Sequence, residues 1–272
     1  MRIGSKNRKY ALDLARASGG AIIFSFPLFM TMEMWLLGFY IDAFRLALFL
    51  LLTMPLLVGL SYYAGFENTL SWRDDGLDAL SAYAVGFAAS AAMLFLMSII
   101  ELDQPWREVI GKITLQAVPA SIGAMLARSQ LGGDSGSAEQ RKDAAPYEGE
   151  LFLMAAGALF LAFNVAPTEE MILIAYMMSA WQTFALAVAS LLLLHTFVYT
   201  VGFGGQEEYA GGFFSVLLRF TIAGYAIALL VSLYVLWTFG RTDTVELFVI
   251  VQMTVVLGFP AALGAALARL II

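Results

Sequence analysis

Eight long apolar runs, each near the length that crosses a bilayer, constrain this chain more than any other feature. They fall near residues 17–40, 44–66, 77–101, 108–128, 150–177, 181–203, 213–239 and 245–271. About 20 apolar residues wound as a helix span the roughly 30 Å hydrocarbon core. No water is available there, so each helix must satisfy its own backbone polar groups. Composition points the same way: 61% of the 272 residues are hydrophobic and 13% are charged, against about 25% charged in soluble domains. The first run follows Arg2, Lys6, Arg8, Lys9 and Arg16, as a secretory signal would, but it is longer than the roughly 7–15 residues of a signal core. It is therefore read as a retained first helix. The expected fold is an all-α polytopic membrane protein of about eight transmembrane helices.

The one long polar stretch, residues 129–149, is rich in Gly, Ser and charge and lies near the middle of the chain. It divides a basic N-terminus at 1–16 and a first four-helix group at 17–128 from a second group at 150–272. Orientation follows from Lys and Arg, which accumulate in cytoplasmic loops. With the N-terminus inside, Arg2, Lys6, Arg8, Lys9, Arg16, Arg73, Arg128, Arg141, Lys142, Arg219 and Arg269 fall on the cytoplasmic side. Only Arg45, Arg107, Lys112 and Arg241 fall outside. Both termini are thus expected in the cytoplasm, with the protein in a bacterial inner membrane.

Self-comparison reveals an internal repeat. A shift of 137 positions aligns residues 20–66 with 157–203 without a gap, giving 13 identities in 47 positions. Among them are Phe26 with Phe163, Thr31 with Thr168, Glu33-Met34 with Glu170-Met171, and Tyr62 with Tyr199. A shift of 141 aligns residues 119–128 with 260–269, where seven of ten match as Pro-Ala-x-x-Gly-Ala-x-Leu-Ala-Arg. Membrane composition inflates matches of Ala and Leu, but does not readily produce matched Glu, Thr, Pro and Arg. A four-helix copy returns to its starting side, so the repeats are expected to be parallel and related by a pseudo-twofold axis along the membrane normal. Small residues at helical spacing in the Pro-Ala-x-x-Gly segments suit close helix packing.

Glu33 and Glu170 carry the chemical argument. A carboxylate in hydrocarbon costs about 2–4 kcal/mol and is usually turned to a protein interior or a hydrated cavity. Thr31, Thr168, Asn164 and Glu169 lie close by in sequence. Pro27 and Pro167 each remove a backbone donor and free a carbonyl. Such oxygens suit a hard cation, so Glu33 and Glu170 are candidate metal ligands and, across the pseudo-twofold, candidates for coupled titration. The plainer alternative sets Glu33 near the headgroups beside Trp35 and Tyr40. The single histidine, His195, is read as a hydrogen-bonded core residue, with a proton-relay role as the alternative. Lys112 is read as a snorkelling side chain.

Several classes are excluded. There is no cysteine and only one histidine, so thiolate and multi-histidine metal sites are out. No nucleophile elbow, His-Glu-x-x-His, Walker loop or dinucleotide fingerprint occurs, and the cluster at residues 202–205 is a turn. No enzyme and no cofactor beyond a bound cation is expected. The partners expected are the lipid bilayer and a small inorganic cation or proton, not nucleic acid; a homo-oligomer is compatible with the sequence.

The segments Phe24-Ser25-Phe26-Pro27-Leu28 through Thr31-Met32-Glu33-Met34-Trp35, and Asn164-Val165-Ala166-Pro167-Thr168-Glu169-Glu170-Met171, resemble those of a bacterial family of integral membrane proteins of unknown function. The resemblance covers nearly the whole chain and implies membrane location, but no activity or site residues. The residues themselves support a channel or carrier for a small cation, proton-coupled in one version. The rivals are a structural or regulatory membrane subunit and a lipid-modifying intramembrane enzyme.

Overall fold

A computed structural model describes residues 2–64, 72–101, 103–131, 147–201 and 217–271. Every regular element among them is helical. The chain divides into two compact units, Met1–Arg141 and Lys142–Ile272. Eight helical stretches are long and apolar enough to cross a bilayer: Ala11–Phe29, Ala43–Tyr63, Trp72–Leu96, Trp106–Ala127, Tyr147–Val165, Ala180–Val198, Leu217–Thr238 and Leu247–Leu267.

The first unit comprises α1 (Arg2–Phe29), α2 (Met32–Tyr40), α3 (Ala43–Ala64), α4 (Trp72–Leu96) and α5 (Trp106–Leu131). The expected single helix at 17–40 is therefore two. α1 stops at Phe29, and a separate nine-residue helix begins at Met32. Helix α5 is the core of this unit, buried from Gly111 to Ala127 apart from Ile113, with α1, α2, α3 and α4 packed on it. Glycine makes the closest approach possible. A Cβ on Gly123 would stand 2.6 Å from the carbonyl oxygen of Gly20 in α1 and 2.5 Å from Phe24 Cβ. The small-residue segment does pack helices closely, as its sequence implied.

The second unit comprises α6 (Tyr147–Val165), α7 (Glu169–Met177), α8 (Ala180–Val201), a π-helical turn Leu217–Ile222 leading into α9 (Ala223–Thr238), and α10 (Leu247–Ile271). The expected helix at 150–177 is likewise interrupted, between Val165 and Glu169. Helix α10 is the hub here, in contact with α6, α7, α8 and α9. A Cβ on Gly264 would meet the carbonyl oxygen of Gly157 in α6 at 2.1 Å.

Helices α4 and α9 end in the same way. The Ile99 amide donates to Leu94 O and that of Ser98 to Phe95 O, with Ser98 at φ 55°. The Arg241 amide donates to Leu236 O and that of Gly240 to Trp237 O, with Gly240 at φ 72°. Both are Schellman caps, in which a left-handed residue lets two amides reach back to the last turn. Glycine adopts that conformation freely, whereas Ser98 does so against a Cβ penalty of about 1–2 kcal/mol.

Candidate functional site

Both helix interruptions expose backbone carbonyls that the apolar surroundings require to be met. In the first unit Pro27 has no N–H to give to the preceding turn. The helix then loosens: the Met30 amide is shared between Phe26 O at 3.3 Å and Pro27 O at 3.2 Å, and that of Thr31 turns to Leu28 O at 3.2 Å. Thr31 is extended, at φ −97° and ψ 110°, and occupies the N-cap position of α2 without a side-chain capping bond. Its hydroxyl donates to Pro27 O at 2.7 Å. Two further side chains complete the accounting. Gln116 Nε2 of α5 donates to Leu28 O at 2.9 Å, and Trp35 Nε1 donates to Phe29 O at 2.8 Å. Trp35 also packs against the cluster of Phe29, Leu94 and Ile100. Glu33 follows in the first turn of α2, partly exposed.

The second unit solves the same problem with other residues. Thr168 is extended, at φ −69° and ψ 142°, and its hydroxyl donates to Val165 O at 2.8 Å. Arg241, beyond α9, donates to Pro167 O at 2.6 Å. At the far end of α7, Gln252 of α10 donates to Met178 O at 2.5 Å. Asn164 Nδ2 donates to Phe160 O at 2.8 Å, while its buried Oδ1 has no hydrogen-bond partner among the described residues. Glu169 and Glu170 occupy the first turn of α7, and both are exposed. Each break thus brings an extended Thr, freed carbonyls and a first-turn Glu together.

Other candidates fall elsewhere. His195 is buried on α8, with Nδ1 2.8 Å from the hydroxyl oxygen of Thr221 in the π-helical turn. Lys112 does not snorkel. It is 8% exposed, with Nζ 2.5 Å from Glu108 and donating to Ile99 O at 3.1 Å. The cluster at residues 202–205 and most of the stretch 129–149 lie outside the described residues. Among the described residues no three His, Cys, Asp or Glu side chains gather as a metal cage would need. The first break holds one carboxylate, Glu33, and the second holds two, Glu169 and Glu170.

Sequence reasoning missed the residues that support the breaks: Trp35, Gln116, Arg241 and Gln252. A local signal for the breaks themselves was present. Thr31-x-Glu33 and Thr168-Glu169-Glu170 place a capping residue before first-turn acids, which marks a helix start. The length criterion for spanning helices ran through both.

A chain whose described residues form only helices, eight of them apolar and of bilayer length, and whose interrupted backbone is met by amide, indole and guanidinium donors, is an integral membrane protein. It belongs to the family described as "Putative integral membrane protein (DUF2391)", whose model matches residues 13–272. No curated protein and no solved structure matches this chain.

Proposed function

We propose that this protein moves a small cation across a bacterial inner membrane, using Glu33 and Glu170. The observation that carries the reading is the interrupted helix in each unit. A pair of broken apolar segments at corresponding positions in two halves is the best sequence-level pointer to a transporter's binding site. An offset of 137 residues carries Met32–Tyr40 onto Glu169–Met177 and Ala43–Ala64 onto Ala180–Val201. Those equal lengths, with the glycine contacts Gly20 to Gly123 and Gly157 to Gly264, support descent from one duplicated four-helix ancestor. Thr31, Thr168, Asn164 and Glu169 supply further oxygens for the ion. In this reading His195 is a core residue.

A second reading is favoured by one observation. A carboxylate in a helix's first turn complements the positive end of its dipole without any ion, which suits a subunit that does not transport. Flux separates the two. Protein reconstituted in vesicles should pass a monovalent or divalent cation under an imposed gradient, and Glu33→Gln or Glu170→Gln should cut that flux about tenfold or more, with Glu169→Gln having less effect. Absence of flux from folded parent protein, or wild-type flux from the double Gln variant, removes the transport reading.

The proposed topology, with both termini cytoplasmic, rests on the eleven-to-four bias of basic residues. The cysteine-free chain permits a direct test. Single cysteines at Ser135 and Gly205 should react with an impermeant maleimide from the cytoplasmic side, and those at Asp103 and Asp243 from the opposite side. Labelling of Ser135 and Gly205 from opposite sides would refute it.

A further inference from the structure

We infer that Arg241 is the built-in counter-ion of the second break. Its guanidinium offsets the charge of Glu169, each break keeps one net negative charge, and the cation the breaks accept is monovalent. The choice of cation rests on the transport reading above; the pairing of charges does not.

The two breaks differ at matched positions. An offset of 137 sets Glu169 against Met32. The two Schellman caps set Arg241 against Ile99, since each gives its amide to the carbonyl five residues back, Leu236 and Leu94. In the first unit Met32 and Ile99 line one cavity, so the end of α4 and the first turn of α2 face a common space. The second unit carries an acid and a base at the same two positions. The acids that follow the caps match, Glu101 with Asp243, and both are exposed. An opposite-charge pair thus stands in one unit where an apolar pair stands in the other.

Arg241 is fixed at the break by the bond from its guanidinium to Pro167 O, two residues ahead of Glu169 at the start of α7. A guanidinium is charged at every working pH, and beside the positive end of a helix it is unfavourable unless an acid answers it. Glu169 and Glu170 supply two negative charges in that turn. Glu169 is the one without an acidic counterpart in the first unit, and it answers the arginine. Glu170 is then left as the second break's single uncompensated carboxylate, as Glu33 is in the first. The pair of Lys112 and Glu108 adds no net charge to the first unit's count. One monovalent cation brings a break to neutrality, whereas a divalent one leaves an excess positive charge in poorly solvated surroundings.

Arg241→Gln leaves the second break with two uncompensated carboxylates. In vesicles given sodium, potassium, magnesium or calcium gradients, the parent should favour the monovalent ions. Arg241→Gln should shift the monovalent-to-divalent flux ratio about tenfold towards the divalent ions. Arg241→Lys keeps the charge and should keep the ratio, and adding Glu169→Gln to Arg241→Gln should bring it back. A melting-temperature cycle reads the pairing without any flux. Glu169→Gln should lower the melting temperature of the parent, where it strips Arg241 of its acid. It should raise that of Arg241→Gln, where it relieves repulsion from Glu170. Shifts of the same sign in both backgrounds overturn the proposal, as does an unchanged flux ratio in folded Arg241→Gln or a parent that favours divalent ions. If Arg241→Gln does not fold, failure of added Glu169→Gln to rescue it overturns the proposal too. A reversal of sign in protein that passes no cation upholds the counter-ion and removes the transport reading.

Discussion

Gly264→Ala should lower the melting temperature of the purified protein by about 10 °C or more, corresponding to a loss of about 3 kcal/mol or above. The added methyl would lie 2.1 Å from the carbonyl oxygen of Gly157 and 2.8 Å from its carbonyl carbon. Those atoms belong to the α6 backbone, so no rotamer change can move them aside. Helices α6 and α10 must separate, and the van der Waals contact that drives association in a bilayer is lost along the seam. Gly123→Ala should act in the same direction in the first unit, against Gly20 O and Phe24. Two glycines serve as controls. A Cβ on Gly76 would meet nothing within 4 Å, so Gly76→Ala should be neutral or stabilise α4 by about 0.5–1 kcal/mol. At Gly258 the nearest atom is the Leu229 Cδ2, at the end of a flexible side chain, so the loss should be smaller. Thermal unfolding of all four in one detergent, read by size-exclusion chromatography, checks the order. If Gly264→Ala and Gly76→Ala melt together, the glycine contact contributes nothing.

Lys112→Met should destabilise the protein by about 3–5 kcal/mol, and most of that loss should return when Glu108→Met is added. Lys112 and Glu108 side chains are 9% and 18% exposed and sit at 2.5 Å. Removing the lysine leaves a poorly solvated carboxylate without its countercharge. Removing the glutamate leaves the ammonium with Ile99 O as its sole acceptor among the described residues. Replacing both with apolar chains of similar length removes the desolvation cost together with the attraction, so the double variant should lie within about 1 kcal/mol of the parent. The cycle is read as the non-additivity of the three stabilities. Losses that simply add would show that Lys112 and Glu108 act independently.

The candidate site was partly legible before the structure. Thr31, Glu33, Thr168, Glu170 and Asn164 stood out because polar side chains inside apolar runs are costly and are retained for a reason. Their setting was not legible. Reading residues 17–40 and 150–177 as single helices placed the two glutamates inside continuous spans, whereas each lies in the first turn of a nine-residue helix after a break. Lys112 was misread for a related reason. Its position near a helix end suggests a route to water, but the Ile99 carbonyl and Glu108 turn it inwards.

The sequence by itself determined the solvent, the helical class and the number of bilayer-length apolar helices. These depend on local sums: about 20 apolar residues in a row cannot rest in water, and in hydrocarbon they must be helical. It also determined where helices could touch most closely, since a glycine has no side chain wherever it is placed. Only the tertiary structure decided where the helices break. An interruption is tolerated when the carbonyls it frees find donors, and those donors are remote in the chain: Gln116 is 88 residues from Leu28, Arg241 is 74 from Pro167, and Gln252 is 74 from Met178. A window sliding along the sequence sums hydrophobicity but cannot see which helix will supply the missing hydrogen bond.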